Sequence, residues 1–418
     1  MKKPYFKRDI QMTTVIYKNI IYFLLSTLVL NIILQYYAVS FLDEITKVSI
    51  IYIIIVLGLI FFFFFYFIKN NFLIKINVYN NLLFLFFLML CVSFIIHKDY
   101  LYELLVIEKF IVFGLLPSFL LTNIINSKRD FNLFLNYLWL VSTIFTTLVL
   151  FEYLRGNIIP YLYNRLSLKD INPIWFSVMG GLTVLINLQF IYLWKFHKSS
   201  KLKLLSNIYN VIIGLFIMII SASRGPLLAL VITMLFLLFL KIEFKKIGFA
   251  SIVIFLFGII AYKIFPDSFQ RLTELSSQSH NINERMFMWE KSFGVMDIKS
   301  LFVGLGYQKF GEFFNLEYPH NIVIELITVK GFPVFLIFLT ILIYTLICAV
   351  MVILKSNYIF IPSLFIYFFI TSLFSHDLGT NSILFTLMSI NTKIFFIDYF
   401  PRYKGLESIE EKESVRIL

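Results

Sequence analysis

The stretch VFLIFLTILIYTLICAVMVIL, residues 334–354, decides the fold class of this chain. It holds no charged residue, and a helix needs about 20 apolar residues to cross the hydrocarbon core of a bilayer. Lys330, Gly331 and Pro333 interrupt the longer apolar run over 320–354. That run is too long for one crossing, so the sequence predicts a short helix followed by a full membrane span.

The composition of the whole chain agrees with this local pattern. The chain has 418 residues, of which 60% are hydrophobic and only 14% are charged. Soluble domains are typically about 45–50% apolar and about 25% charged. These values exclude a soluble globular, a disordered or a collagen-like protein. Cys91 and Cys348 lie inside apolar runs, so they do not indicate a disulfide framework.

Further apolar runs predict an all-α, polytopic integral membrane protein with about 12 transmembrane helices. We expect residues 1–418 to form a single transmembrane domain. The predicted spans lie near 20–42, 49–68, 79–97, 103–125, 131–153, 172–195, 205–222, 225–241, 247–264, 320–354, 357–374 and 379–398.

The distribution of Lys and Arg predicts the orientation. If the N-terminus is cytoplasmic, most cations fall in inner segments, as the positive-inside rule requires. The net charge of +12 then reflects topology, and we expect no nucleic-acid partner. Both termini are predicted to be cytoplasmic, with 401–418 as a cytoplasmic tail. The short outer loops carry Lys47, Lys98, Arg155, Arg165, Lys169 and Arg224.

One outer loop, 265–319, is much longer than the other connections, and long ordered loops are usually functional. Within it, Met286, Trp289, Phe293 and Met296 recur at helical spacing. This predicts a short amphipathic helix on the outer membrane surface. Gly304-Leu305-Gly306 follows no strand, so we interpret it as a turn and not as a nucleotide-binding motif.

Polar residues collect at the predicted outer face, first in Ser221-Ala222-Ser223-Arg224-Gly225-Pro226. Gly225 permits a tight turn and Pro226 suits the first turn of a helix. Helix N–H groups next to Arg224 predict an anion-binding site. The alternative is a tight turn with one arginine that reaches toward the interface.

The second group is Tyr318-Pro319-His320-Asn321. Pro319 predicts a helix start with His320 in the first turn, where the helix dipole disfavours imidazolium. A neutral histidine there suits general-base chemistry. Asn321, Glu325 and Thr328 continue as an inward polar stripe. The alternative is a capping or interface histidine.

A third group of polar residues precedes the sixth predicted span. The loop 154–171 carries Arg155, Arg165, Lys169 and Asp170 and leads into a helix start at Asn172-Pro173. The positive-inside rule disfavours Lys and Arg in outer loops, so these cations suggest an anionic ligand. Ordinary solvated charges explain the same residues equally well.

Isolated polar residues inside or between the spans allow two interpretations. Glu103, Glu108 and Lys109 in the fourth span either line a cavity or sit near the interface. His376-Asp377 is interpreted as a plain turn. No cluster has metal-ligand spacing, so we expect no metal and no cofactor.

Arginines and one histidine at the outer face of a membrane protein suit a substrate that combines lipid and phosphate. A lipid-linked sugar diphosphate has its tail in the bilayer, its diphosphate at the interface and its sugars outside. A histidine can deprotonate an attacking sugar hydroxyl while arginines stabilise the leaving diphosphate.

The segments 221–225 and 319–331 resemble the two hallmark stretches of the O-antigen ligase and polymerase family. The likeness comprises Ser221-Ala222-Ser223-Arg224-Gly225, then His320-Asn321 and Gly331. It extends over about residues 160–335, with Arg285 to Trp289, Gly304-Leu305-Gly306 and Arg165 to Asn172-Pro173 as supporting matches.

The resemblance implies a metal-independent membrane glycosyltransferase that uses polyprenyl-diphosphate-linked oligosaccharide. Arg224 and His320 would be catalytic, and His320 would activate the acceptor hydroxyl. Arg165, Arg224, Arg285 and Ser223 would bind the diphosphate. Asn321, Glu325 and Trp289 are the candidates for acceptor or sugar binding. Implied partners are the bilayer and a chain-length regulator or flippase.

Three function classes stay open. A polymerase and a ligase are not separated by sequence pattern. A flippase or transporter of lipid-linked saccharides is the main alternative, but transporters tend to have internal repeats and midplane sites, which this sequence does not show. A membrane scaffold would leave the outer arginines unexplained.

Overall fold

The computed structural model describes a mostly helical chain. Described residues are 5–29, 77–97, 100–161, 165–168, 171–197, 200–241, 279–314, 316, 318–375 and 377–399, with isolated positions 57, 58, 60, 61, 64, 65, 68 and 263. Apart from those isolated positions, the predicted spans near 49–68 and 247–264 lie outside this set. So do Lys169, Asp170, His376, the first part of the 265–319 loop and the tail 401–418.

The first part of the described chain is helical throughout. Its elements are α1 (Tyr5–Val29), α2 (Val78–His97), α3 (Tyr100–Phe110), a π-helical turn (Ile111–Leu115), α4 (Leu116–Ile124) and α5 (Lys128–Leu154). The start of α5 follows from its sequence, because the Ser127 side chain accepts a hydrogen bond from the Asp130 backbone N–H.

The second part contains one hairpin and ten helices among the described residues. In order they are β1 (Ile158–Tyr161), β2 (Arg165–Leu168), α6 (Pro173–His197), α7 (Lys201–Ile220), α8 (Arg224–Lys241), α9 (Ser279–Gly294), α10 (Ile298–Val303), α11 (Tyr307–Phe314), α12 (Ile322–Thr328), α13 (Phe332–Lys355), α14 (Phe360–Ser372) and α15 (Ile383–Tyr399). A 3-10 turn at Thr380–Ser382 precedes α15.

Within the described residues, six helices are long and apolar enough to span a membrane. They are Val78–His97, Tyr102–Ile124, Lys128–Leu154, Pro173–Trp194, Lys201–Ile220 and Phe332–Lys355. Shorter apolar helices cover Tyr17–Val29, Arg224–Leu240 and Phe360–Ser372. The chain is therefore an α-helical integral membrane protein, while the number of about 12 spans stays a prediction.

The interruption at Lys330–Pro333 divides the long apolar run as the sequence predicts. α12 ends at Thr328, and α13 begins at Phe332 with Pro333 in its first turn. Gly331 makes the break with a φ of 94°, a conformation that residues with a side chain rarely adopt.

The predicted loop 154–171 contains regular structure that the all-α prediction missed. β1 pairs antiparallel with β2, with Ile158 opposite Leu168 and Tyr161 opposite Arg165. The pairing forms hydrogen bonds with backbone N–H and C=O groups that would otherwise bond to water. Consequently Arg165 lies on a strand, and that strand packs against α6 and α7.

The core brings the first and last parts of the chain together. The ring of Phe385 in α15 lies 5.1 Å from the rings of Phe86 and Phe110 and 6.0 Å from that of Phe338. These residues belong to α2, α3, α13 and α15, and all four are fully buried. Such aromatic contacts fix α3 against the C-terminal helices.

Close contact between two glycines sets the register of α6 and α7. A Cβ added to Gly180 would lie 2.7 Å from the Gly214 carbonyl oxygen, and one added to Gly214 would lie 2.8 Å from the Gly180 oxygen. Small residues allow helix backbones to approach this closely in membranes. The connectivity makes α6 and α7 antiparallel, so the pairing places Pro173 level with Ser221.

Polar side chains also join α5, α6 and α7 inside the bundle. The Asn210 amide donates to Thr143 Oγ1 at 2.8 Å and to Asn187 Oδ1 at 2.9 Å. Its carbonyl accepts from Thr146 Oγ1 at 2.7 Å. Interhelical hydrogen bonds of this kind hold membrane helices together where lipid offers no alternative partner.

Candidate active site

The first component of the site is the turn before α8. The helix begins at Arg224, with Pro226 in its first turn, as the sequence predicts. The tight backbone belongs to Ala222, which has a φ of 47°, and not to Gly225 as predicted. Gly225 lies inside the helix, where an added Cβ would lie 3.4 Å from the Phe374 Cβ. The start of α8 therefore lies next to Phe374.

The serines of this turn are buried and serve its geometry. Ser221 Oγ donates to the Met218 carbonyl at 2.9 Å, and Ser223 Oγ donates to the Ser221 carbonyl at 3.2 Å. These local bonds fix the turn ahead of the half-buried Arg224. The predicted contact of Ser223 with diphosphate stays a prediction.

Arg285 approaches the same place from α9. Its Nη1 donates to the Phe374 carbonyl oxygen at 2.9 Å. Phe374 thus contacts the start of α8 with its side chain and Arg285 with its backbone. The guanidinium is half-buried, and burial lowers its pKa below the usual range, although arginine remains charged at any physiological pH.

A helix, α9, surrounds Trp289 and ends at Gly294, before Met296 of the predicted apolar set. Met286 and Phe293 are exposed, while Met288 and Ser292 are buried against the protein. Trp289 is half-buried and its Nε1 donates to the Pro319 carbonyl at 2.8 Å. That bond ties α9 to the His320 segment. The placement of the exposed apolar face on the membrane stays a prediction.

His320 lies before α12 and not in its first turn, which corrects the prediction. Asn321 is the N-cap, and its side-chain oxygen accepts from the backbone N–H groups of Val323 and Ile324 at 2.9 and 3.2 Å. His320 itself has a left-handed backbone, with a φ of 58°. Histidine tolerates this region better than most residues, but the conformation is uncommon and indicates a constrained position.

The ring of His320 is held in a defined environment. The Tyr318 ring centroid lies 4.4 Å from the imidazole centroid. Burial, and to a lesser extent the charge of Arg285, lower the pKa of His320 to about 4, while the Asp377 carboxylate partly opposes them. The imidazole is therefore neutral at neutral pH. Burial is the largest cause.

A buried polar network lies under α12. The Tyr307 hydroxyl donates to Glu325 Oε1, and the Leu378 backbone N–H donates to the same oxygen at 3.0 Å. Next to Leu378, the Asp377 carboxylate lies 3.8 Å from Lys109 Nζ. Asn321, Glu325 and Thr328 are all buried, which confirms the inward polar stripe.

An ion pair that the sequence analysis missed completes this network. Lys330 Nζ contacts Glu103 Oε2, and their side chains are only 1% and 0% exposed. Each is a charged residue in a largely apolar stretch, which is the signal that could have paired them. Glu108, by contrast, is exposed.

The glycine-rich turn 304–306 packs against the end of α12, as expected of a turn and not of a nucleotide site. The backbone N–H groups of Leu305 and Gly306 donate to the carbonyls of Thr328 and Val329 at 2.8 and 3.1 Å. A Cβ on Gly331 would collide with the Phe302 carbonyl oxygen. The two glycine-containing breaks therefore fit each other and position Lys330.

Arg165 is half-buried on β2, at the same end of the bundle. β2 packs against α6 and α7, and Pro173 lies level with Ser221. The contacts described above join the Arg224 turn, Arg285 and His320. The contacts of Arg165 show only that it lies at the same end of the bundle as these residues. Arg155 is exposed and lies 4.0 Å from Glu152.

Each predicted sugar-binding side chain already has a structural partner. Asn321 caps α12, Trp289 binds Pro319, and Glu325 binds Tyr307 and Leu378. Their roles toward a sugar stay predictions. In the part of the chain that the structure describes, no group of three or more His, Cys, Asp or Glu residues is arranged to hold a metal ion.

Comparison with protein-family models gives a match over part of the chain. Residues 209–339 match the family model described as O-Antigen ligase. The matched segment contains Arg224, Arg285 and His320, while Glu103 and Asp377 lie outside it. No curated protein matches the chain at a significant level.

Proposed function

We propose that the chain, whose residues 209–339 match the O-antigen ligase family model, is a membrane glycosyltransferase of the O-antigen ligase and polymerase family. Its donor would be an oligosaccharide linked to a polyprenyl diphosphate. It would join this donor to a growing polysaccharide or to another acceptor on the outer side of a bacterial cytoplasmic membrane. The side follows from the Lys and Arg distribution, with both termini in the cytoplasm.

One observation carries the proposal: the Arg224 turn and Arg285 meet at Phe374, with His320 next to Arg285. Two guanidinium groups and the N–H groups at the start of α8 offer charge and directed donors to a diphosphate. Arg165 and Ser223 would add donors from the same end of the bundle.

His320 would act as the general base. The acceptor hydroxyl gives its proton to the neutral imidazole as its oxygen bonds to the anomeric carbon of the donor sugar. The bond from that carbon to the diphosphate oxygen breaks at the same time, and the electron pair leaves with the diphosphate. The proton on His320 then passes to water or to the departing diphosphate.

The low pKa of free His320 is compatible with this role. A bound diphosphate places negative charge next to the imidazole and offsets the effect of Arg285, which makes the imidazole a stronger base when substrate is present. Arg224 and Arg285 would stabilise the charge that develops on the leaving group. Asn321, Glu325 and Trp289 would position the acceptor sugar or the segment that meets it.

The test uses purified protein in nanodiscs with lipid-linked oligosaccharide and acceptor. A ladder of products supports a polymerase, and one larger conjugate supports a ligase. Movement of lipid-linked saccharide across a vesicle membrane without a new glycosidic bond would refute the proposal in favour of a transporter. No bond formation and no movement would also refute it.

A further inference from the structure

Helix α3 directs three polar side chains toward the candidate site, although it lies far outside the matched segment. Glu103 pairs with Lys330, Lys109 Nζ lies 3.8 Å from Asp377 Oδ2, and the Tyr102 hydroxyl lies 3.4 Å from the same oxygen. These three polar contacts of α3 are made with Lys330 after α12 and with Asp377 in the turn before α15.

Glu103 and Lys330 are withdrawn from solvent almost completely. Removing two charges from water opposes much of the attraction between them, so an apolar pair often stabilises a fold as well or better. Stability alone is thus a weak explanation for this pair. Its connections to neighbouring groups suggest a different role.

A continuous set of contacts leads from this pair to the neighbourhood of His320. Lys330 Nζ lies 4.3 Å from the centre of the Tyr307 ring, and the Tyr307 hydroxyl binds Glu325. Glu325 in turn accepts a hydrogen bond from the backbone N–H of Leu378. Glu325 lies one turn after Asn321, the N-cap residue of α12, and His320 directly precedes Asn321.

We infer that Glu103 is a positioning residue for glycosyl transfer. With Lys330 it fixes Tyr307 and Glu325, and these hold the Asp377–Leu378 turn beside His320. The role rests on the proposed function, since it concerns the geometry of the base. The first part of the chain would therefore contribute to the reaction through Glu103, although Glu103 does not contact the substrate.

The test compares Glu103→Gln, Lys330→Met and the double variant in the transfer assay. Each single change removes one partner of a buried ion pair, so both are expected to lower folded yield. The double change removes both charges and is expected to restore folding. It does not restore the Lys330 contact with Tyr307, so kcat should remain about 100-fold below wild type while KM changes little.

A second ion pair provides the control. Lys18 Nζ and Asp130 Oδ1 lie 2.7 Å apart and join α1 to the start of α5, away from the site. The double variant Lys18→Met/Asp130→Asn should keep the wild-type kcat at a similar folded yield. This comparison separates the loss of an interhelical pair from the loss of positioning.

A wild-type kcat in the folded Glu103→Gln/Lys330→Met variant would overturn the inference. If that variant does not fold, Glu103→Asp decides, because it keeps the charge and shortens the side chain by one methylene. A lowered kcat in folded Glu103→Asp supports positioning, and an unchanged kcat overturns it. Absence of transfer by wild-type protein would instead refute the proposed function, and this role with it.

Discussion

Arg285 Nη1 donates a hydrogen bond of 2.9 Å to the carbonyl oxygen of Phe374. The two residues are 89 positions apart in the chain. The side chain of Phe374 also contacts Gly225 at the start of α8, so this bond brings two arginine-bearing segments together. His320 lies near enough for the charge of Arg285 to lower its pKa. The predictions below depend on this arrangement.

The role of His320 as the base is tested by His320→Asn. Asparagine tolerates the left-handed backbone at this position but cannot accept the proton. Transfer should fall by about 100- to 10,000-fold, the usual contribution of a general base, while folded yield is unchanged. Normal polymer or conjugate from this variant would remove His320 from the mechanism.

The role of Arg224 is tested by Arg224→Lys. Lysine keeps the charge but loses the planar pair of donors that suits a phosphate group. We expect kcat/KM to fall by about 10- to 100-fold, as for the loss of a hydrogen bond to a charged group. The matched control is Arg155→Lys, which changes an exposed arginine at the same end of the bundle. Equal activity in the two variants would favour a plain structural turn.

The pH profile of kcat/KM reports the ionisation of His320 in the free protein. The base must be neutral, so activity is lost as pH falls through its pKa. This acid limb should lie near pH 4 and not near 6.5, because burial and Arg285 disfavour the charged imidazole. Arg285→Gln removes one of these effects and should move the limb upward. A limb that stays in place would contradict the electrostatic link between the two residues.

The packing of α6 against α7 is tested by Gly214→Ala. The added Cβ would lie 2.8 Å from the Gly180 carbonyl oxygen, so the helices must separate. Overpacking of this kind destabilises by about 1–3 kcal/mol. Thermal unfolding in detergent should therefore show a lower midpoint. Gly294→Ala is the control, since nothing lies within 4 Å of its added Cβ. A wild-type midpoint for Gly214→Ala would place the glycine contact in doubt.

Hydropathy and local signals were sufficient to predict much of the fold. The break between α12 and α13 follows from Lys330, Gly331 and Pro333 in an apolar run. The starts of α6 at Pro173 and of α8 at Arg224 follow from turn and proline positions. These features depend on a few neighbouring residues, so one sequence is enough to predict them.

Other features depend on tertiary contacts. The polarity of Glu103 and Lys330 marks each residue as unusual, but their pairing across more than 200 residues is decided by the packing of α3. Ala222 adopts a positive φ although Gly225, the residue that the sequence offers for a tight turn, is nearby inside α8. His320 precedes α12 because Asn321 provides the better cap.

The most direct test of the central claim is the affinity of the purified protein for a polyprenyl diphosphate without sugar. Native mass spectrometry or isothermal calorimetry in nanodiscs would compare wild type with Arg224→Gln, Arg285→Gln and the control Arg155→Gln. If Arg224 and Arg285 serve one diphosphate site, each of their variants should bind about tenfold or more weakly while the control binds like wild type. Wild-type affinity in either Arg224→Gln or Arg285→Gln would contradict a shared site.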